Sequence, residues 1–187
     1  EIRPGTLRTF DEHFRTCPKS GAAGGRLTYG DGSFQDAAFR FPSLAQVFLD
    51  VWPLNWRLTQ SRLNGRYPHA HDATAFVCDF VLGALMAVRR EAYEATGGFD
   101  PAYFMYVEDV DWCLRIRAAG MAVVFAPEAR VWHRVSASTG GLGSPTSMYY
   151  DTRNSIVVCE RHRPLPPGLR GLRRATVVVA HLLQALL

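Results

Sequence analysis

The sequence is nearly devoid of lysine: twenty arginines stand against the single Lys19 among 187 residues. It is also poor in cysteine. Cys17, Cys78, Cys113 and Cys159 lie far apart with no C-x-x-C pair, which excludes a zinc ribbon, a thioredoxin-like site and a disulfide scaffold. Scattered buried thiols in a reducing compartment are the expectation. No internal repeat is present. No apolar core follows the first charges, so the opening does not read as a signal peptide. The final apolar-rich run, Ala175–Leu187, is thirteen residues long and too short to cross a bilayer as it stands.

What is there is globular. An apolar fraction of 48% excludes disorder, and the length suits one sizeable core rather than two domains. The net charge of +4 is mild and spread along the chain, which suits an anionic small molecule or a membrane surface as well as a polynucleotide. The first residue is Glu rather than Met, so the chain is expected to begin inside a longer gene product.

Local patterns predict a loosely alternating α/β order. A helix is expected over Ile2–Thr16, with Pro4 in its first turn and Leu7, Phe10 and Phe14 facing the core. Pro18 and the Gly21–Gly25 stretch end it. Arg26–Tyr29 and Ser33–Gln35 read as strands around an Asp31-Gly32 turn. A helix over 43–58 and a polar loop over 62–72 follow. Phe76–Arg89 reads as a strand in which Gly83 marks a bulge or a close approach. Arg90–Thr96 is a short helix stopped by Gly97-Gly98, and Glu108–Ala119 a helix capped by Gly120. Met121–Ala126 and Arg130–Trp132 are strands parted by a Pro127 turn, 136–147 is a Gly/Ser/Thr loop, and Ser147–His162 is helical. Pro164, Pro166 and Pro167 divide residues 1–163 from a tail, 164–187. There Arg170, Arg173 and Arg174 precede an apolar segment that either packs on the domain or lies at a membrane interface.

The chemistry concentrates in Phe104-Met-Tyr-Val-Glu-Asp-Val-Asp-Trp-Cys-Leu-Arg115. Glu108, Asp109 and Asp111 fall at a helix start, where the dipole favours carboxylates, and Asp111 can pair with Arg115 one turn on. That pairing leaves Glu108 and Asp109 unexplained. Crowded carboxylates covered by Phe104 and Tyr106 would raise one another's pKa, so one of them can serve as a general base. His133, at a strand end, is either structural or one ligand of a divalent ion.

The ordered set Asp79-Phe-Val-Leu-Gly-Ala-Leu-Met-Ala-Val-Arg-Arg90, Gly97-Gly-Phe-Asp100, Phe104 to Arg115, Val131-Trp-His133 and Tyr149-Tyr-x-x-Arg-Asn154 resembles family 2 glycosyltransferases. It is most similar to bacterial rhamnosyltransferase-like members that build cell-wall and surface polysaccharides. The resemblance covers residues 1 to 163 or so and implies the acceptor-side portion of a GT-A (Rossmann-like) domain, α/β with a mixed sheet and flanking helices. It implies an inverting transfer from a nucleotide-sugar donor to a saccharide or lipid-linked acceptor. The implied cofactor is a divalent metal, Mg or Mn.

Residue by residue, the resemblance makes Asp109 the catalytic base and Glu108 the group that orients the acceptor or tunes that base. His133 becomes a metal ligand. Asp79, Gly83 and Ala84 belong to the substrate floor, and Arg153 and Asn154 contact donor phosphate or a lid. The family's Asp-x-Asp motif and nucleotide-binding strands have no counterpart, since the one Asp-x-Asp, Asp109-x-Asp111, belongs to the acceptor motif. The chain is therefore expected to be partial, and inactive by itself. A cytoplasmic location, at the inner face of the membrane through residues 170–187, is the matching expectation.

Two other classes compete. Trp52, Trp56, Arg57, Arg62, Arg66 and Tyr67 interleave as in a polyanion-binding module, although the diffuse charge and missing motifs argue against nucleic acid. A metal-dependent hydrolase could use Glu108, Asp109 and His133, against which the family order argues.

Overall fold

The computed structural model of the chain describes residues 1–41, 65–67, 74–134 and 144–185. The helix expected over 43–58 and most of the loops at 62–72 and 136–147 lie outside these residues.

A mixed sheet forms the centre. Strand β1 (Ser20–Thr28) pairs in parallel with β7 (Ala122–Trp132) along one edge. Its other edge takes β6 (Met86–Val88) through Ala22–Gly24 and β2 (Phe34–Gln35) through Leu27–Thr28, both antiparallel. Strand β4 (Phe76–Cys78) adds antiparallel to the far side of β7. A small second sheet joins β3 (Ala38–Phe39) to β5 (Phe80–Val81).

The glycine-rich stretch expected to end the first helix is instead the middle of β1. Its residues are poor strand formers, but nothing larger fits. A Cβ on Gly24 would stand 2.4 Å from Val81 Cβ, and one on Gly25 2.5 Å from the Ala129 carbonyl oxygen. Gly24→Ala should therefore destabilise by about 1–3 kcal/mol through overpacking, read from a urea midpoint; an unshifted midpoint would contradict this packing.

Three other expectations are corrected. The first helix, α1 (Thr6–Thr16), starts four residues late, because residues 1–3 run beside the end of β7. Arg3 N–H donates to Arg130 O at 3.1 Å, Ile2 bridges Val131, and Gly5 takes φ 88 to turn the chain. Phe10 is buried against Ala23, Ala126 and Ala129, whereas Leu7 is 72% exposed and outside the stripe. The apolar run 76–89 is broken, after β5, by a 3-10 turn, Gly83–Leu85. Finally, β7 is one strand: Pro127 lies within it, where the pairing slips between Gly25–Ala126 and Arg26–Arg130. A bulge tolerates the missing N–H.

Helix expectations fare better. α2 (Arg90–Thr96) ends at Gly97 with φ 78, and α3 (Glu108–Ala118) is followed by Gly120 with φ 83. Helix α4 (Pro145–His162) starts at Ser144, whose Oγ accepts the Ser147 N–H at 3.2 Å. The Asp31 turn closes β1 to β2, its Oδ1 accepting from the Ser33 N–H at 2.9 Å and Oγ at 2.6 Å. Leu27, Val81, Ile116, Val123 and Phe125, all fully buried, fill the space between sheet and α3.

The tail helix α5 (Pro167–Ala185) folds back on α4. Arg173 donates to Arg163 O at 2.9 Å, Arg174 grips Glu160 at 2.5 and 2.9 Å, and Val177 is buried. Its outer side exposes Leu169, Leu172, Val178, Val179 and Leu182. Among the described residues no helix is long and apolar enough to cross a membrane.

Candidate functional site

Asp109 and Glu108 open α3 where it meets the exposed 3-10 turn. Asp109 is 9% exposed; its Oδ2 accepts the Gly83 N–H at 2.9 Å and its Oδ1 the Val110 N–H at 2.8 Å. Gly83 meets a side-chain carboxylate through its amide, not the bulge or the close approach that its place in an apolar run suggested. A Cβ there would only touch Asp109 and Phe99 at ordinary distance, so the position is set by its amide rather than by lack of room. Gly83 and Ala84 are both exposed and give the carboxylate an open, small-residue neighbour.

Burial raises the Asp109 carboxyl above the usual range, against the pull of the amides that bond it. Glu108 is also raised, first by burial and only in lesser part by the charge of Asp109. Desolvation, not crowding, is the dominant cause. One oxygen of Glu108, Oε2, is buried with no hydrogen-bond partner among the described residues. The expected aromatic cover is also corrected: Phe104 is 74% exposed and packs on Tyr150, with ring centres 5.2 Å apart.

Asp111 does different work. It is fully buried, with Oδ2 accepting from Arg115 Nε at 2.8 Å and Oδ1 facing His162 Nε2 at 2.7 Å. Arg115 also donates to Gly98 O at 2.6 Å and to Thr96 O, clasping the end of α2 to α3. The i+4 pair was legible; His162, fifty-one residues away, was not.

The remaining candidates divide. Asp79 is committed within the protein, Oδ2 accepting the Phe41 N–H at 3.0 Å and Oδ1 facing Arg117 at 3.2 Å. Arg153 donates to Ala102 O at 3.1 Å and to Asn154 Oδ1 at 2.5 Å. Asn154 is fully buried and donates from Nδ2 to Met105 O at 2.6 Å and Tyr106 O at 3.1 Å. Both residues hold the loop that leads into Glu108, a contact between distant segments that no local pattern announces.

His133 follows β7, its N–H donating to Thr28 O at 3.0 Å and Nδ1 facing Gln35 Oε1 at 3.1 Å. Burial lowers its pKa and favours the neutral ring. A neutral imidazole with Nδ1 held by an amide oxygen presents Nε2 as a metal ligand. Among the described residues no three His, Cys, Asp or Glu gather into a metal cage. The donor set fits one ligand position, the rest being left to a bound diphosphate or other groups.

The thiols offer no nucleophile in the core. Burial pushes Cys78 up strongly and Cys113 up to about 12, while Cys17 is exposed, contrary to the expectation of buried thiols throughout. Arg66, one member of the polyanion reading, pairs with Asp36, and Trp52, Trp56, Arg57 and Arg62 lie outside the described residues.

This arrangement is a GT-A glycosyltransferase fold. The chain superposes on a crystal structure of GalNAc-T7 with UDP, GalNAc and Mn2+ at a TM-score of 0.51 and 14% identity, over 94% of this chain and 36% of that one. Residues 56–146 match the family model described as glycosyltransferase like family 2. An N-acetylglucosaminyl-diphospho-decaprenol L-rhamnosyltransferase of Mycobacterium tuberculosis is 32% identical over 178 residues, 90% of this chain and 56% of that protein. The O-antigen biosynthesis protein RfbC of Myxococcus xanthus is 29% identical over 133 residues, 71% of this chain and 10% of that protein. The chain is similar to the family 2-like glycosyltransferases and is rhamnosyltransferase-like in sequence. It spans about half the length of its mycobacterial relatives.

Proposed function

We propose that this chain supplies the acceptor-activating side of an inverting sugar transferase of cell-envelope polysaccharide synthesis, with Asp109 as general base. The observation that carries the reading is Asp109 itself: a buried carboxylate of raised pKa, pinned to the Gly83 amide at 2.9 Å under an exposed turn of small residues. A raised pKa strengthens the carboxylate as a base.

An acceptor hydroxyl loses its proton to Asp109 as its oxygen bonds the anomeric carbon. The bond from that carbon to the donor diphosphate breaks, the electron pair leaves with the diphosphate, and a single displacement inverts the anomeric centre. Glu108 Oε2, buried with no partner among the described residues, would accept a hydrogen bond from a second acceptor hydroxyl and orient it. His133 Nε2 would hold a divalent Mg or Mn, which supplies charge stabilisation to the departing diphosphate. By analogy with the mycobacterial relative's name, the donor is a nucleotide-linked rhamnose and the acceptor a saccharide on a lipid diphosphate.

The test is sugar transfer by the full-length protein: product NMR should show an inverted anomeric centre, and Asp109→Asn should lower transfer about 10³-fold. Retained configuration would refute the displacement. EDTA should abolish transfer and added Mn2+ restore it; chelator-resistant turnover would remove the metal.

A lipid-linked acceptor requires the membrane surface, and α5 is suited to lie on it through exposed Leu172, Val179 and Leu182, with Arg170 and Arg174 on the opposite side of the helix, the latter on Glu160. Co-sedimentation with anionic vesicles should be salt-sensitive and should fall at least fivefold or so in Leu172→Glu. Equal pelleting of that variant would sink the contact.

A further inference from the structure

Two consecutive residues immediately before the base-bearing helix adopt left-handed backbone: Tyr106 at φ 63 and Val107 at φ 69. Neither is glycine, and Val107 is β-branched, the side-chain type that suffers most there. Such a pair persists only where the surroundings over-determine it. Val107 is also the residue at which α3 begins, and its own side chain makes no cap. Its carbonyl accepts the Asp111 N–H at 2.9 Å, so its torsions set the direction of the first helical turn, which carries Glu108 and Asp109.

One amide spans this turn. Asn154 sends its Nδ2 to the carbonyls of both Met105 and Tyr106, while its Oδ1 takes the Arg153 guanidinium, which reaches on to Ala102 O. The job needs two N–H groups and an acceptor on a short stem in a fully buried position. Aspartate lacks the donors and serine lacks the reach.

We infer that Asn154 is a positioning residue for the transfer reaction: it clamps the left-handed Tyr106–Val107 turn so that Asp109 meets the acceptor hydroxyl, and Arg153 orients Asn154. This assignment rests on the reading of Asp109 as the base. It takes both residues out of phosphate binding and makes them parts of the scaffold behind the carboxylate.

Steady-state kinetics of the full-length protein test it. Asn154→Asp and Asn154→Ala should lower kcat about 10²-fold, as small misplacements of a reacting group do, with donor KM changed less than about threefold. In the Asn154→Ala background, glycine at 106 and 107 takes positive φ without strain and should return kcat at least about tenfold. A residue that merely fills the core would not be rescued in this way.

Arg153→Gln should lower kcat about tenfold with donor KM again nearly constant; this variant also serves if Asn154→Ala does not fold. A tenfold rise in donor KM at unchanged kcat in Arg153→Gln would overturn the inference, as would wild-type kcat in Asn154→Asp or failure of the glycine rescue. Those results with Asp109→Asn inactive would refute the clamp alone. An active Asp109→Asn would refute the base on which it rests.

Discussion

Asp109→Asn in the full-length protein is expected to lower kcat by about 10³-fold, within the range that a general base contributes, while raising rather than lowering the stability of the fold. The two effects share one cause. Burial lifts the folded-state pKa of this carboxyl, so between the ordinary aspartate range and the raised value the native state binds more protons than the unfolded chain. Stability accordingly falls as pH rises through that window. Asparagine carries no charge to desolvate, so the variant should be the more stable protein above the window and lose that advantage as pH falls below it. Glu108→Gln should show the same sign, since its carboxyl is raised by the same burial. Thermal unfolding at pH 5 and pH 8, beside kcat, reads both effects. Loss of activity together with loss of stability at pH 8 would make Asp109 a structural residue.

Two positions along, the expectation reverses. Asp111→Ala should cost about 3–5 kcal/mol, because it leaves a buried Arg115 contact and the facing His162 without their anion. For a domain of this size that is a fall of about 10 °C in Tm. The residue touches no exposed surface, so at low temperature the folded fraction should retain most of its kcat. A Tm within two degrees or so of wild type would show that solvent or another group replaces the carboxylate.

The contrast between these neighbours shows how much the sequence discloses. Glu108, Asp109 and Asp111 were legible as a cluster from spacing, and Asp111 as the partner of Arg115 because helical neighbours are local. The caps at Gly97 and Gly120 and the Asp31 turn were legible for the same reason. The partners that separate the carboxylates are remote: the Gly83 amide is twenty-six residues from Asp109, and His162 fifty-one from Asp111. Asn154 carried a visible motif but no visible task, since its two carbonyls lie across the fold. Strand β1 was misread because its composition follows the closeness of Val81 and Ala129, not any local preference for extended backbone.

That same strand determines when the site can exist. Ser20–Gly25 has little intrinsic drive to extend, and its longest pairing is with Ala122–Trp132, about a hundred positions later. During synthesis it must wait until residue 132 or so has cleared the ribosome, while the helices, whose contacts are local, can already have formed. The parallel pairing of β1 with β7 is therefore a late step, whereas β2 and β6, which pair with the other edge of β1, leave the ribosome before β7. The Gly83 amide precedes Asp109 in the chain, so the partner of the buried carboxylate leaves the ribosome before the carboxylate itself.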